Sequence, residues 1–475
     1  MMETVSVASA EGAPIPIARR AFDAWRSSLR GDVLFETDPG YDGARALWNA
    51  MIDRRPAAIA RCLGVADVAA CVAFAREHGV SLSVRGGGHN IAGLALRDRG
   101  LVVDLSRMRG VRVDASRRVA YAQAGCLLGD VDRETQVHGL AACLGFVSKT
   151  GIGGLTLGGG FGYLSRRYGW TSDTVRSMDV VTADGKIVTA SEKKHPDLFW
   201  ALRGGGGNFG IVTGIEYGLQ RVGPDIIGGV VAWRADEAHR VLALWRELMA
   251  TGPPELTIAA ILRPAPPAPW LEPSVHGTPI VALAVCHSGP LSRAKRALAP
   301  LNSLGKPVGD LVQRRPYVTQ QSLLDATQPW GRRYYWKSEY LSGNEPAATD
   351  LAVAHAARIV SPHGAVVLFP IDGALNRLPN DHSAVGNRDA KTVLNVTAAW
   401  DSPADDAENI AWARAARNDF PPFSTGGTYV NFLTEEEGGD RIRAAYGANY
   451  DRLQAAKRTW DPGNFFRANK NIAAA

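Results

Sequence analysis

Apolar positions divide the chain into two kinds of stretch. Between residues 55 and 220, short apolar runs alternate with segments of helical spacing. Residues 58–62 form a brief apolar run. Residues 67–78 then set Val68, Cys71, Val72, Phe74 and Ala75 at helical spacing, with Gly79 where a C-terminal cap belongs. Residues 80–85 form the next strand and complete a β-α-β unit. Buried strands are expected at 100–105, 111–113 and 119–123, and a helix at 127–138. Two further runs, 178–182 and 186–189, flank Ala183-Asp184-Gly185, a hairpin signal. Strands and helices in mixed order predict an α+β fold with mixed sheets.

Composition changes at Arg221-Val222-Gly223-Pro224. Proline-rich loops follow at 252–254 and 263–269. Apolar runs at 280–285, 366–369 and 393–399 alternate with helical stretches at 238–248, 291–301 and 348–359. That pattern predicts an antiparallel sheet covered by helices on one face. Pro421-Pro422 marks another boundary. Beyond it a helix is expected over 440–459, then a turn at Asp461-Pro462-Gly463-Asn464 and a frayed alanine tail at 473–475. The expected division is 1–220 (core 55–220), 221–420 and 421–475.

A chain of 475 residues exceeds one hydrophobic core. Its net charge of +6 is small for this length and comes with no basic run, which argues against a nucleic-acid partner. No window of about 18 apolar residues exists, so no membrane span is expected. Residues 1–30 lack the apolar core of a secretory signal, and Arg19-Arg20 opens an amphipathic helix. The five cysteines are odd in number and irregularly spaced, without C-x-x-C, which fits small core residues in a reducing cytoplasm. The ten histidines form no cluster, and no metal site is expected.

Candidate chemistry lies in three glycine-rich loops. The first is Val84-Arg85-Gly86-Gly87-Gly88-His89-Asn90-Ile91-Ala92-Gly93, which puts an imidazole at the end of a loop after an apolar strand. Backbone N–H groups without a Cβ in the way can cradle an anion such as a diphosphate. A surface turn with a chance histidine is the plainer alternative. The second runs from Thr150 to Gly162, and the third is Gly204-Gly205-Gly206-Gly207-Asn208-Phe209-Gly210 before Ile211-Val212. The second has no acidic residue in the frame of a dinucleotide fingerprint, and neither Gly-Lys pair has the Ser or Thr of a P-loop. Taken singly, these loops could be tight backbone packing or a flexible tip. Three within roughly 130 residues point to an elongated cofactor touched at several places, because ordering glycine is entropically costly.

These loops, with Asp104-Leu105-Ser106, Tyr168-Gly169 and Trp200-Ala201-Leu202-Arg203, resemble the FAD-binding domain of the berberine bridge enzyme-like oxidases of the vanillyl-alcohol oxidase superfamily. Tyr429-Val430-Asn431, Tyr446-Gly447, Asn449, Leu453, Lys457, Asp461–Phe466 and Asn469 are similar to that family's terminal segment, which returns to the flavin domain. The resemblance implies FAD bound through an 8α-histidyl bond at His89, the imidazole acting as nucleophile. It implies contacts to the cofactor from Arg85, Gly86, Gly87, Gly88, His89, Asn90, Gly93, Val147, Thr150, Gly151, Gly154, Gly158, Gly159, Gly162, Gly210, Ile211, Val212 and Asn469. Many relatives add a cysteinyl bond at the position held here by Val147. Cys143 lies four residues away, roughly 13 Å in an extended segment, so a single link is expected. Thr150 stands where relatives carry an oxygen-gating residue, often Val or Leu.

Tyr429 and Asn431 match a Tyr-x-Asn motif that sits beside the flavin in the family. Two family tyrosines are replaced here, by Phe161 and Phe432. Tyr429 is a candidate base if its pKa is lowered, or else a buried structural tyrosine. The run 330–340 is aromatic-rich. As a strand it would set Tyr335, Lys337 and Glu339 against Tyr334, Trp336 and Ser338, and Lys337 is a candidate cation beside the pocket. The expected activity is oxidation of a small organic substrate (an alcohol, sugar, phenolic or other secondary metabolite), with O2 reduced to H2O2. A dehydrogenase with another acceptor and a non-catalytic flavin-binding protein are the rival readings.

Overall fold

The computed structural model describes residues 4–474. Residues 1–3 and 475 lie outside that range, and with them the first residues of the expected first domain and the end of the alanine tail. The β-α-β expectation holds in a particular form. Strands Ala58–Arg61 and Leu82–Arg85 are both parallel to Leu101–Asp104, which lies between them, and Asp32–Leu34 adds an antiparallel edge. The crossover helix Val65–His78 ends where expected. Gly79 takes φ +66° and its N–H bonds back to Ala75, a conformation costly for residues with a Cβ. Val68, Cys71 and Val72 on this helix share one core with Met178 and Val180 of the next sheet.

That next sheet is antiparallel, in the order Ile187–Ser191, Val175–Val181, Ile211–Gly218, Val119–Gln123, Val111–Asp114. Its first two strands form the hairpin expected around Asp184-Gly185. All five cysteines are buried and free.

The third sheet has eight strands and is antiparallel throughout. Its path is Gly309–Asp310, Asp225–Arg234, Pro279–His287, Leu256–Pro264, Ala365–Pro370, Thr392–Trp400, Arg333–Leu341, and Gln313–Pro316 also pairs with Asp225–Arg234. Helices Ala238–Thr251, Pro346–Ala356 and Asp406–Asn418 cover one face. The residues packed under them alternate along the strands, as in Leu256, Ile258, Ala260 and Leu262, or Leu394, Val396 and Ala398. The opposite face is left for the site described below.

Two expectations are corrected. Strand Leu256–Pro264, between the proline-rich loops, was not anticipated. The single helix expected over 440–459 is two, Gly439–Tyr446 and Tyr450–Trp460, separated at Gly447, which adopts φ +54°. The terminal segment then returns to the glycine loops. Lys457, fully buried, donates to the Asn208 carbonyl at 2.8 Å, to Asp461 at 2.7 Å and to the Phe466 carbonyl at 2.9 Å. No described helix is long and apolar enough to cross a membrane.

Candidate functional site

All three glycine loops meet at one cavity of about 1020 Å³. The first follows the carboxyl end of parallel strand Leu82–Arg85, the usual ligand edge of such sheets. The second enters the helix Ile152–Leu157, and the third is a turn before strand Ile211–Gly218. Gly86, Gly87, Gly88, His89, Asn90, Val147, Thr150, Gly151, Gly154, Gly210, Ile211, Val212 and Asn469 all line it. The free face of the eight-stranded sheet roofs it.

His89 is held by an aromatic stack. Its ring stacks on Trp48 at 4.2 Å and 13°, and Trp48 stacks on Tyr334 of the roof sheet at 3.8 Å and 15°. The Trp48 backbone N–H also donates to the Gly88 carbonyl at 3.1 Å. His89 Nε2 is buried and has no hydrogen-bond partner among the described residues. Burial pulls the imidazole pKa down to about 4, so the ring is neutral at physiological pH and keeps a free lone pair.

The glycines separate into three groups by what a side chain would meet. Gly87 and Gly151 back onto one another, a Cβ on either falling 2.4–2.5 Å from the other's backbone nitrogen. Gly154 faces open cavity, with nothing within 4 Å of where its Cβ would stand, and Gly207 is the same. Gly158, Gly159 and Gly162 do not line the cavity. A Cβ there would strike Asn431, Val385 and the Leu144 carbonyl, so close packing is reason enough for glycine at these three. Two more of the expected residues lie off this cavity's wall. Gly93 packs on Ile52, and the Arg85 guanidinium turns to the Ala44 carbonyl beside a separate cavity of about 220 Å³.

Tyr429 and Asn431 do meet the cavity, beside Phe161 and Phe432. The Tyr429 hydroxyl accepts from the Gly160 N–H at 3.1 Å and from Asn431 Nδ2 at 2.9 Å. Burial nevertheless pushes the phenol pKa up against the pull of both donors, leaving it protonated. The lowered pKa a resting base would need is not what this surrounding produces.

Lys337 is not brought to the cavity. The alternation expected for its strand is present, but Trp336 is on the cavity face and Lys337 on the other. Its ammonium donates to Thr434 Oγ1 at 2.9 Å and pairs with Glu436 at 2.9 Å and Glu437 at 3.1 Å. Cys143 also points elsewhere, its Sγ 3.2 Å from the Gly169 carbonyl, and burial raises the thiol to about 12.

Several lining groups carried no expectation, Lys470 and, from the roof, Arg263, Asn395 and Thr397, and neither did Trp48 behind His89. Burial lowers Lys470 to about 8, against the opposing pull of Glu437 and Glu436. Asn395 and Thr397 carried a signal, two polar residues two apart in an otherwise apolar strand.

The residues present fit a flavin dinucleotide. The cavity is at the upper end of ligand pockets, about 300–1,000 Å³. Open space stands where a Cβ on Gly154 or Gly207 would go, and the neutral His89 imidazole lines the same cavity.

Comparison with known proteins agrees. The FAD binding domain family matches residues 56–191, and the berberine and berberine-like family matches residues 428–473. The (R)-6-hydroxynicotine oxidase of Paenarthrobacter nicotinovorans is 31% identical, covering 94% of this chain and 97% of its own. An FAD-linked oxidoreductase of Bacillus subtilis is 30% identical over 94% of this chain and 98% of its own. The crystal structure of 6-hydroxy-D-nicotine oxidase from Arthrobacter nicotinovorans superposes with a TM-score of 0.83 at 29% identity, covering 94% of this chain and 99% of that one. The α+β architecture, the glycine-lined cavity and these relatives together make the chain an FAD-dependent oxidoreductase that belongs to the berberine bridge enzyme-like family.

Proposed function

We propose that the protein is an oxidase that carries FAD covalently on His89 and oxidises a small organic molecule beneath the roof sheet, passing the electrons to O2. The observation that supports it most is the place of His89: a neutral imidazole on the wall of the cavity shared by the glycine loops. A neutral imidazole is the form able to attack a carbon electrophile. In this reading the bond is single, since Cys143 is turned away and Val147 holds the alternative position. Residues 1–220 with 421–475 hold the cofactor, and residues 221–420 supply the roof.

Bound FAD supplies hydride acceptance and reoxidation by O2. The chain's own contribution is placement. Gly160 and Asn431 occupy the acceptor sites of the Tyr429 hydroxyl, so its proton is free to be donated into the cavity. Tyr429 thus orients a substrate oxygen or nitrogen, with Asn431 holding the phenol in place. Phe161, Phe369, Trp336 and Phe432 exclude water from the reacting end.

The test is bleaching of the yellow protein under argon by a panel of alcohols, sugars and phenols, with carboxylated members of each class, followed by admission of air. An oxidase reoxidises at least as fast as it turns over with an artificial acceptor and releases one H2O2 per turnover. Slower reoxidation in air would make it a dehydrogenase, and no bleaching by any compound would leave a flavin-binding protein without catalysis.

A further inference from the structure

Resting on that reading of the cavity, we infer that the substrate is an organic acid, its carboxylate received by Arg263 at the outer end of the roof and its aromatic or otherwise apolar body lying over the flavin-binding floor. Leu262 pairs with Val366, and Val366 with Val396, so these three mark one row across the sheet. One residue along, Arg263 follows Leu262, while Ala365 pairs with Thr397. The helix-covered face takes Leu262, Val366 and Val396, and Arg263, Ala365 and Thr397 face the cavity instead. On the other side of the helix-covered row, Ile261, Val367 and Asn395 also face the cavity.

Arg263 has no carboxylate partner among the described residues. Its side chain donates only to backbone carbonyls, Pro264 at 3.1 Å and Pro362 at 3.4 Å. Its neighbour Arg332 is already paired with Asp401, whose other oxygen accepts from His363. The His276 imidazole, from the loop after Arg263, is a second hydrogen-bonding group on the wall of the same cavity. A guanidinium lining a largely apolar cavity without a counter-ion is costly unless something anionic completes it. A carboxylate does so bidentately. Trp336 and Phe369 between this end and Tyr429 suit a flat apolar body.

The experiment is calorimetric titration of the flavin-loaded protein with three matched pairs: benzoate, phenylacetate and 3-phenylpropionate, each against its primary amide. The pairs differ in charge and hardly in shape. At least one carboxylate is expected to bind about 10- to 100-fold tighter than its amide, the range of a charge-assisted hydrogen bond. Arg263→Met should abolish the preference, while Arg296→Met, which removes a charge from an exposed helix, should keep it. Equal binding of acid and amide, no binding of any acid, or a preference that survives Arg263→Met overturns the inference. So does loss of flavin from Arg263→Met, which would assign the guanidinium to the cofactor. The wild-type comparison needs no variant to fold, and it is readable whether the flavin proves covalent or not.

Discussion

At the scale of single residues, the site depends on which face of a strand a side chain occupies. Lys337 shows this. Alternation placed it correctly opposite Trp336, but periodicity alone does not say which face meets a ligand and which meets helices. The structure puts it in a cluster with Glu436 and Glu437, its side chain 8% exposed and that of Glu437 9%. Lys337→Met is therefore expected to cost about 3 kcal/mol of stability by stranding a buried carboxylate, measured by denaturant unfolding. The kcat of the folded variant should be unchanged; a large fall in kcat with normal stability would return Lys337 to the chemistry. Tyr429→Phe should do the reverse to kcat. It removes the acceptor of the Gly160 and Asn431 donors, and should lower kcat by about 10- to 100-fold while costing about 1–3 kcal/mol of stability for the buried donors left unpaired.

Among elements, the glycine loops were legible as a group and not individually. Their density identified the flavin-binding part, because few other uses call for so many residues without a Cβ. Which glycine faces ligand and which faces backbone depends on neighbours distant in sequence, such as Asn431 against Gly158. Gly154 and Gly87 make a paired test. Gly154 lies in helix Ile152–Leu157 with open cavity beside it, so Gly154→Ala should stabilise the flavin-free protein by up to about 1 kcal/mol and impair flavin loading. Gly87→Ala drives a methyl into the Gly151 backbone and should lower both stability and loading. Flavin absorbance relative to protein, with thermal melting of flavin-free samples, separates the two. Full loading of Gly154→Ala would mean the ligand does not approach there. Strand Leu256–Pro264 escaped the sequence because prolines crowd both ends and its cavity-facing residues are mostly apolar, so no alternation survived. Arg263, at its end, was missed with it.

Across the whole molecule, the parts are joined through polar groups buried between them. Asp132 on helix Leu128–Gln136 accepts from Gln321 Nε2 of helix Tyr317–Gln321 at 3.1 Å, and its Oδ1 has no partner among the described residues. Burial raises its carboxyl pKa from 3.8 to about 7. A raised pKa means the folded state holds this proton longer than the unfolded chain. Its contribution is thus complete below pH 3.8 and is lost as pH climbs through 7. Asp132→Asn should remove that loss, gaining up to about 4 kcal/mol over wild type at pH 8 and little at pH 4. Melting curves at the two pH values check it, and a gain of equal size at both would contradict the assignment. None of this joint was readable in sequence, since a lone Asp in an amphipathic helix is ordinarily solvated.

The central claim is that His89 is the tether. Its most direct test is mass spectrometry of the acid-precipitated, denatured protein, intact and after proteolysis. The account predicts a mass gain of one FAD per chain, found wholly on the peptide that contains His89. Yellow colour left entirely in the supernatant, with the His89 peptide unmodified, or flavin mass on the Cys143 peptide, would contradict it.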